Sequence, residues 1–362
     1  MKIPFIDLHK QYLKYKDEID CEIAEVLNSS IYIGGEKIAL LEEKLAKFIG
    51  SERAIVCSSG TDALLLSLMA LDIKKGDEVI TTPFTFIATA EVISLLGATP
   101  VFVDIDEKTY NIDPNKIEKK ITKNTKALLP VSLYGQPANM DEINKIAKKY
   151  NLKVIEDGCQ SFGATYKGQN SCNLSDIGCT SFFPSKPLGC YGDGGAIFTD
   201  DEELALKIKM LLNHGQNERY KHKYIGINGR LDAIQAAVLL VKLKYFSSEV
   251  KKREEIGERY TDLLQESSII TPYIKNDRSS VYAQYSIRVK NRDKLVKHLN
   301  EKGIPTAVHY PMPLHLQECF RYLGYKEGDF EVAEQISKEI MSLPMSPFLE
   351  KEDQDRIVKE LL

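Results

Sequence analysis

The chain lacks the features that identify several large classes of protein. Its seven cysteines form no CxxC pair and match no zinc-ligand spacing, so neither a metal site nor a disulfide framework is expected. No apolar run approaches the roughly 20 residues that span a bilayer. Residues 1–7 also lack the apolar core and the small-residue cleavage site of a secretion signal. We therefore expect a cytoplasmic protein with reduced thiols and no membrane partner.

An excess of charge of one sign is also absent. With 48 basic and 52 acidic residues the formal net charge is −4, which gives no electrostatic basis for binding nucleic acid. Hydrophobic residues make up 43% of the chain and charged residues 28%, which is typical of a soluble globular protein. A length of 362 residues exceeds one ordinary core, so two domains are expected.

From residue 53 onwards, short apolar runs alternate with stretches of helical periodicity. Strands are predicted at 53–57, 78–81, 101–104, 127–133, 153–156, 179–183 and 195–199. The helices predicted between them lie at 61–71, 85–96, 114–121, 141–150 and 202–212. This alternation predicts an α/β fold, with a mostly parallel sheet that carries helices on both faces.

The pattern changes after residue 212. Helices are predicted at 231–245 and 247–264, followed by a strand at 282–289 and helices at 293–301, 331–341 and 351–361. We therefore predict a large α/β domain at 1–245, including the N-terminal segment, and a smaller α+β domain at 246–362.

A lysine and an aspartate carry the most informative chemistry. Lys186 lies in Ser-Phe-Phe-Pro-Ser-Lys-Pro-Leu-Gly, among aromatic residues and next to a proline, where a solvated surface lysine is not expected. Asp157 ends a predicted strand, where ligands of α/β sheets collect, although an aspartate there is more often a cap. Pyridoxal phosphate needs an amine that holds it as a Schiff base and an acid that keeps its pyridine nitrogen protonated. The pair predicts that cofactor.

Several other positions suit the same cofactor. Gly60 and Thr61 open a helix directly after a strand, which suits a phosphate but equally suits a plain helix cap. The hydroxyl of Ser181, five residues before the lysine, could reach that phosphate. Gln160 could reach the ring oxygen of the cofactor, and Phe86 is a candidate to stack on the ring, although such an aromatic residue is more often part of a core.

Two segments offer groups for an anionic substrate. Asn228 and Arg230 precede a long predicted helix, which suits anion binding but also a plain helix start. His309 and Tyr310 follow a predicted strand. A lone histidine is usually structural, so this pair alone predicts no function.

Taken together, these segments resemble the DegT/DnrJ/StrS sugar aminotransferases, which are fold type I pyridoxal phosphate enzymes. The resemblance runs from residue 5 to about residue 347 and rests on six ordered matches. They are Gly-Thr-Asp-Ala-Leu at 60–64, Leu-Tyr-Gly-Gln at 133–136, Glu156-Asp157 with Gln160, Ser181 with Lys186, Gly-Asp-Gly-Gly at 192–195 and Asn-x-Arg-Leu-Asp at 228–232. The resemblance implies a seven-stranded sheet in the large domain.

The resemblance also implies a role for each of these residues. Lys186 would be the Schiff-base and catalytic lysine, with Asp157 as the pyridine partner. The other implied cofactor contacts are the phosphate ligands Gly60, Thr61 and Ser181, the ring-hydroxyl contact Gln160, the stacking residue Phe86, and Asn228, which would reach the cofactor of a neighbouring subunit. An obligate homodimer with shared active sites follows. Ser59 stands where many relatives have asparagine. This difference weakens the resemblance little, because backbone amides do most of the phosphate binding.

The amino-acid sequences of segments 160–164 and 179–193 are similar to those of one subgroup of that family. Its members aminate C3 of UDP-2-acetamido-2-deoxy-3-keto-glucuronic acid for surface polysaccharides, by a ping-pong reaction from L-glutamate through pyridoxamine phosphate. Arg230, His309 and Tyr310 could then bind the sugar carboxylate. The alternatives are a dTDP-linked 3-keto-6-deoxyhexose, a UDP-linked 4-keto sugar, an inactive regulatory protein that binds the cofactor, or a lyase or dehydratase on the same cofactor. The nucleotide, the ketone position, the amine configuration and any assembly beyond a dimer stay open.

Overall fold

A seven-stranded sheet forms the centre of the computed structural model, which describes residues 3–362. Its strands follow the order β1-β9-β8-β5-β4-β2-β3. Only β9 runs against its neighbours within the described residues, and it pairs antiparallel with both β1 and β8. The strands of the sheet are β1 (Arg53–Cys57), β2 (Glu78–Thr81), β3 (Thr99–Phe102), β4 (Thr125–Leu128), β5 (Lys153–Asp157), β8 (Ile177–Ser181) and β9 (Gly195–Thr199). The predicted mostly parallel sheet is confirmed.

Six further strands form three two-stranded ribbons. The first pairs β6 (Thr165–Tyr166) with β7 (Gln169–Asn170), and the second pairs β10 (Gln216–Glu218) with β11 (Lys221–His222). The third pairs β12 (Tyr285–Arg288) with β13 (Ile340–Leu343). The last ribbon belongs to the C-terminal part of the chain.

The helices that surround the sheets differ greatly in length, from 8 to 32 residues. They are α1 (Leu8–Ser29), α2 (Glu36–Ile49), α3 (Gly60–Ala70), α4 (Ala88–Leu95), α5 (Met140–Tyr150), α6 (Glu202–Leu211), α7 (Ala233–Leu264), α8 (Arg292–Glu301), α9 (Glu331–Glu339) and α10 (Lys351–Leu361). Between residues 3 and 362, none of them has the combination of length and hydropathy that a membrane crossing requires.

The large sheet is covered on both faces because alternate side chains of a strand point in opposite directions. In β1, Ala54 and Val56 join a core with α2 and α7, where Leu45 and Leu239 are fully buried. Ile55, between them, joins a second core formed with α3 and α6. The predicted coverage of both faces is therefore confirmed.

Three helices predicted in the C-terminal part differ from the structure. The helices predicted at 231–245 and 247–264 are one helix, α7, because no proline or glycine separates them and the intervening Phe246 is buried. The helix predicted at 331–341 ends at Glu339, because Ile340–Leu343 pairs with β12 instead. Here strand pairing overrides the local helical pattern.

One element between β3 and β4 also differs from its prediction. The helix predicted at 114–121 consists of two short 3₁₀ turns.

A third core lies around the β12–β13 ribbon. It contains Ile287, Met341 and Ile357, which are fully buried, and α7 reaches it through Tyr260. Because α7 passes from the large sheet to this core without interruption, the division at residue 245 stays a prediction.

Candidate active site

The predicted site residues follow the carboxyl ends of strands that run in one direction. Asp157 is the last residue of β5 and Ser181 the last residue of β8, while Gly60 follows three residues after β1. Carboxyl ends of parallel strands meet at one edge of a sheet, which is where α/β proteins bind ligands.

The carboxylate of Asp157 is buried and held through both oxygens. Its Oδ2 accepts a hydrogen bond of 2.8 Å from Thr89 Oγ1, and its Oδ1 accepts one of 3.2 Å from the Cys159 amide. The residue is only 5% exposed. A buried, oriented carboxylate of this kind can pair with a protonated ring nitrogen.

Lys186 lies on the connection between β8 and β9. Its amide donates to the Phe183 carbonyl at 2.8 Å, which closes a tight turn. Burial raises the pKa of the Cys159 thiol, which Asp157 raises further and the Lys186 ammonium lowers. The backbone amide of Cys159 contacts the Asp157 carboxylate directly.

The N-terminus of α3 forms a small cradle with the end of β8. Ser59 Oγ caps the helix by accepting from the Asp62 amide at 3.0 Å, while the first amides of a helix lack intrahelical partners. A Cβ added at Gly60 would lie 2.6 Å from Ser181 Cβ, so only glycine fits against that side chain. Gly60, Thr61 and Ser181 are thus brought together.

Gln160 is fixed by two hydrogen bonds. Its Oε1 accepts from the Tyr134 amide at 2.8 Å, and its Nε2 donates to Tyr310 Oη at 3.2 Å. Burial raises the pKa of the Tyr310 phenol, so this group is neutral at physiological pH. The ring of Phe86 lies 6.4 Å from the Tyr310 ring, and Phe86 is 56% exposed, which leaves an aromatic face open at the site.

The imidazole ring of His309 lies 5.8 Å from the ring of the adjacent Tyr310. Its Nδ1 is 3.0 Å from Ser342 Oγ, and its carbonyl accepts a hydrogen bond from Tyr134 Oη. Burial, with a smaller contribution from the Lys186 ammonium, lowers the pKa of His309 to about 4. The imidazole is therefore neutral near pH 7.

The segment with Asn228 and Arg230 lies beside the helix cradle. The carbonyl between them, of Gly229, accepts from the Ser58 amide at 2.8 Å, and Arg230 Nη1 donates to Asn213 Oδ1 at 2.8 Å. The Nε of Arg230 is buried without a partner, and Asn228 is exposed.

Arg230, His309 and Tyr310 were predicted to bind one substrate carboxylate. Within residues 3–362, no direct hydrogen bond or ring contact joins Arg230 to His309 or Tyr310. Their shared role toward a substrate stays a prediction.

The assembled groups fit pyridoxal phosphate. A buried carboxylate is oriented at the end of β5, the glycine cradle leaves no room for a side chain beside Ser181, and an aromatic ring is exposed next to Tyr310. Lys186 lies on the loop that follows Ser181. In the part of the chain that the structure describes, no group of three or more histidine, cysteine, aspartate or glutamate side chains could hold a metal ion.

Sequence reasoning missed three residues that contact the predicted ones. Thr89 bonds to Asp157, Tyr134 bonds to both Gln160 and His309, and the Cys159 thiol lies 3.1 Å from a Cβ added at Gly60. Tyr134 belongs to the Leu-Tyr-Gly-Gln segment, which already stood out as a motif. The other two gave no signal beyond their closeness in sequence to Phe86 and Asp157.

Comparison with known proteins accounts for this arrangement. Residues 14–362 match the DegT/DnrJ/EryC1/StrS aminotransferase family. The chain belongs to this family. It is 51% identical over 348 residues to the UDP-2-acetamido-2-deoxy-3-oxo-D-glucuronate aminotransferase of Pseudomonas aeruginosa, covering 96% of each chain.

Two further relatives show the range of names within the family. The chain is 45% identical to a pleiotropic regulatory protein of Geobacillus stearothermophilus, covering 100% of this chain and 98% of the relative. It is 43% identical to the dTDP-3-amino-3,6-dideoxy-alpha-D-galactopyranose transaminase of Aneurinibacillus thermoaerophilus, covering 99% and 98%.

Solved structures share the fold of this aminotransferase-family chain over nearly its whole length. A DegT DnrJ EryC1 StrS aminotransferase from Brucella abortus has a TM-score of 0.96 at 40% identity, covering 99% of this chain and 98% of that one. NtdA from Bacillus subtilis, with bound cofactor PMP, has a TM-score of 0.92 at 34% identity and 99% and 84% coverage. The PLP-form of a putative sugar aminotransferase from Streptococcus pneumoniae has a TM-score of 0.90 at 28% identity, with 95% and 94% coverage.

Proposed function

We propose that this protein is a pyridoxal phosphate-dependent aminotransferase. It transfers the amino group of L-glutamate to C3 of a UDP-linked 3-keto N-acetylated hexuronic acid, UDP-2-acetamido-2-deoxy-3-keto-glucuronate. The observation that carries the proposal is the buried Asp157 carboxylate, oriented by Thr89 and the Cys159 amide at the end of β5, together with the Gly60–Ser181 cradle. Membership of an aminotransferase family supports the reaction class.

Each group has a place in binding the cofactor. Lys186 Nζ would hold it covalently, and Asp157 would pair with its ring nitrogen. The α3 amides at Gly60 and Thr61 and the Ser181 hydroxyl would bind its phosphate. Gln160 would contact the ring hydroxyl, and Phe86 would lie against the ring face.

The bound cofactor supplies an electron sink for the bond broken at Cα of the amino donor. Asp157 would keep the ring nitrogen protonated, since its carboxylate is buried and oriented by Thr89. The free amine of Lys186 removes the Cα proton as a general base and returns it as a general acid. His309 adds no positive charge to the site near pH 7, since burial lowers its pKa to about 4.

The choice of sugar rests on the Pseudomonas aeruginosa relative, whose name carries this substrate. Arg230 is partly exposed and its Nη1 is oriented by Asn213, and an arginine binds a carboxylate such as that of the uronic acid well in a bidentate geometry. His309 and Tyr310 remain candidates for other parts of the substrate. The Aneurinibacillus relative favours a dTDP-linked 3-keto-6-deoxyhexose as the second candidate.

The assembly and the setting extend the same proposal. Asn228 is exposed, as a residue must be that reaches the cofactor of a second subunit, so an obligate homodimer with shared active sites is proposed. The reaction would take place in the cytoplasm and supply an amino sugar for surface polysaccharide such as O-antigen.

The decisive experiment follows the absorbance of the purified protein through both half-reactions. A band of the lysine-bound cofactor near 400–430 nm (roughly the region of such protonated chromophores) is expected to disappear with L-glutamate. It should return with the UDP-linked 3-keto uronic acid and be absent in Lys186→Ala. Return only with a dTDP-linked or 4-keto sugar would overturn the substrate. A missing band after reconstitution would overturn the cofactor.

A further inference from the structure

A row of polar side chains runs along one face of α7. Gln235, Lys242 and Glu249 are spaced seven residues apart, which is two helical turns, so they lie on the same side of the helix. Lys242 is 3% exposed and Glu249 is 4% exposed, which is rare for charged residues. Within this row, the first two residues contact the connection that carries Lys186.

That connection is folded tightly on itself. The Cys190 amide donates to the Phe182 carbonyl at 2.8 Å, and the Lys186 amide donates to the Phe183 carbonyl at 2.8 Å. A Cβ added at Gly189 would lie 2.5 Å from the Pro184 carbonyl oxygen, so the two arms of the loop touch. The conformation of this loop decides where the side chain of Lys186 points.

Lys242, on α7, contacts this loop directly. Its Nζ donates a hydrogen bond to the Gly189 carbonyl and lies 5.3 Å from the centre of the Tyr191 ring. Gln235, two turns earlier, accepts from the Tyr191 amide at 2.8 Å. An amine removed from water is costly unless it is hydrogen-bonded, so the Gly189 carbonyl is a required partner.

The buried amine is also balanced electrostatically along the same face. Burial lowers the pKa of Lys242 to about 8, while the Glu249 carboxylate raises it. Glu249 is itself fixed by Gln11 of α1, whose Nε2 donates to it at 2.8 Å. The direct contact that holds the amine is therefore its hydrogen bond to the Gly189 carbonyl, with the Glu249 carboxylate two turns along the same face.

We propose that Lys242 is a positioning residue, which acts by fixing the Gly189 carbonyl and thereby the direction in which the loop presents Lys186. The proposal rests on the proposed role of Lys186 as the cofactor-binding lysine. No reacting atom is touched by Lys242, since its contacts are with the loop backbone and with Tyr191.

The test compares Lys242→Met, which keeps the apolar stem and removes the amine, with the wild-type holoenzyme. Hydrogen–deuterium exchange of the peptide covering 182–191 is expected to become at least about tenfold faster, since a lost contact of about 1.4 kcal/mol is a factor of ten. With this loosening, kcat should fall about 10- to 100-fold while the KM for L-glutamate stays within about twofold. The lysine-bound absorbance should remain, because Lys186 is unchanged.

The matched control is Lys244→Met on the same helix, where an exposed lysine pairs with Glu18. It should leave both exchange and kcat unchanged, because surface ion pairs contribute little. If Lys242→Met does not fold, Lys242→Gln, whose donor is one atom shorter, should show the same loosening to a smaller extent.

Unchanged exchange of 182–191 in the Lys242 variants, or faster exchange with wild-type kcat, would overturn the positioning role. A wild-type protein without the lysine-bound band would instead overturn the proposed function, and the exchange comparison would still decide whether Lys242 fixes the loop.

Discussion

Thr89 donates a hydrogen bond of 2.8 Å to Oδ2 of Asp157, across 68 residues of sequence. Both side chains are buried, and the second carboxylate oxygen is held by the Cys159 amide. A carboxylate that must pair with a ring nitrogen is thus oriented before any ligand arrives, which lowers the cost of binding.

Replacing Thr89 by valine should weaken cofactor binding about 10- to 100-fold, because a hydrogen bond to a charged group contributes about 1.5–3 kcal/mol. Valine keeps the shape of threonine and removes only the donor. Absorbance titration of the cofactor-free protein with pyridoxal phosphate measures the affinity.

The neighbouring Thr85 offers a matched control, because its Oγ1 lies 3.1 Å from Thr89 Oγ1 and one bond further from the carboxylate. Thr85→Val should change the affinity by less than about threefold. Equal losses in both variants would mean that packing, rather than the bond to Asp157, sets the affinity.

This pair also shows how far sequence reasoning reaches into the site. Asp157 was predicted from its place at the end of a strand, which depends on local pattern alone. Its partner Thr89 lies near the start of α4, and no local signal relates the two segments. Their contact arises from the strand order, in which β5 and β2 are both neighbours of β4.

The same distinction holds for the fold. The ends of β2 and β9 were predicted to the residue, since turns and apolar runs define them locally. The predicted helix 331–341 includes the first two residues of the strand Ile340–Leu343, because only the pairing of these residues with β12 makes them a strand. Lys242 likewise occupies a position that reads as part of an apolar helix, and only the loop packed against it explains a charge there.

Gly60→Ala should damage the phosphate cradle, because the new Cβ would come within 2.6 Å of Ser181 Cβ. Overpacking of this kind costs about 1–3 kcal/mol. Thermal unfolding should occur at a lower temperature, and the affinity for pyridoxal phosphate should fall at least about tenfold.

A second substitution separates the clash from the loss of a ligand. Gly60→Ala combined with Ser181→Gly removes the colliding Cβ, so the unfolding temperature should recover while cofactor affinity stays low. If Gly60→Ala alone binds the cofactor as the wild type does, the cradle is not the phosphate site.

His309 should make the protein less stable in mild acid. Its pKa is lowered from 6.5 to about 4, so between these pH values the unfolded state holds a proton that the folded state has lost. Stability therefore rises with pH across this window, and the penalty is complete below about pH 4. In chemical unfolding of cofactor-free protein, His309→Gln should remove up to about 3 kcal/mol of the difference between pH 6.5 and pH 4.

The exposed His9 provides the comparison, and His9→Gln should leave the pH dependence of unfolding as it is in the wild type. His315, whose pKa burial also lowers, contributes a slope of the same sign and remains in both variants. Identical pH profiles for wild type and His309→Gln would show that this imidazole is not desolvated.

Arg230→Met should separate the two half-reactions. Arg230 is partly exposed, and its Nη1 donates to Asn213 Oδ1 at 2.8 Å, which orients the guanidinium. Loss of an ion pair with the sugar carboxylate should raise the KM for the UDP-linked 3-keto uronic acid about 10- to 100-fold. The rate of amino transfer from L-glutamate should change by less than about threefold, as stopped-flow absorbance would measure.

Two controls test whether the carboxylate is responsible. For a UDP-linked 3-keto sugar with a hydroxymethyl group in place of the carboxylate, Arg230→Met should have the KM of the wild type. Arg321→Met, at an exposed turn, should leave the KM for both sugars unchanged. Full activity of Arg230→Met on the uronic acid would assign the carboxylate to another residue, or the enzyme to a neutral sugar.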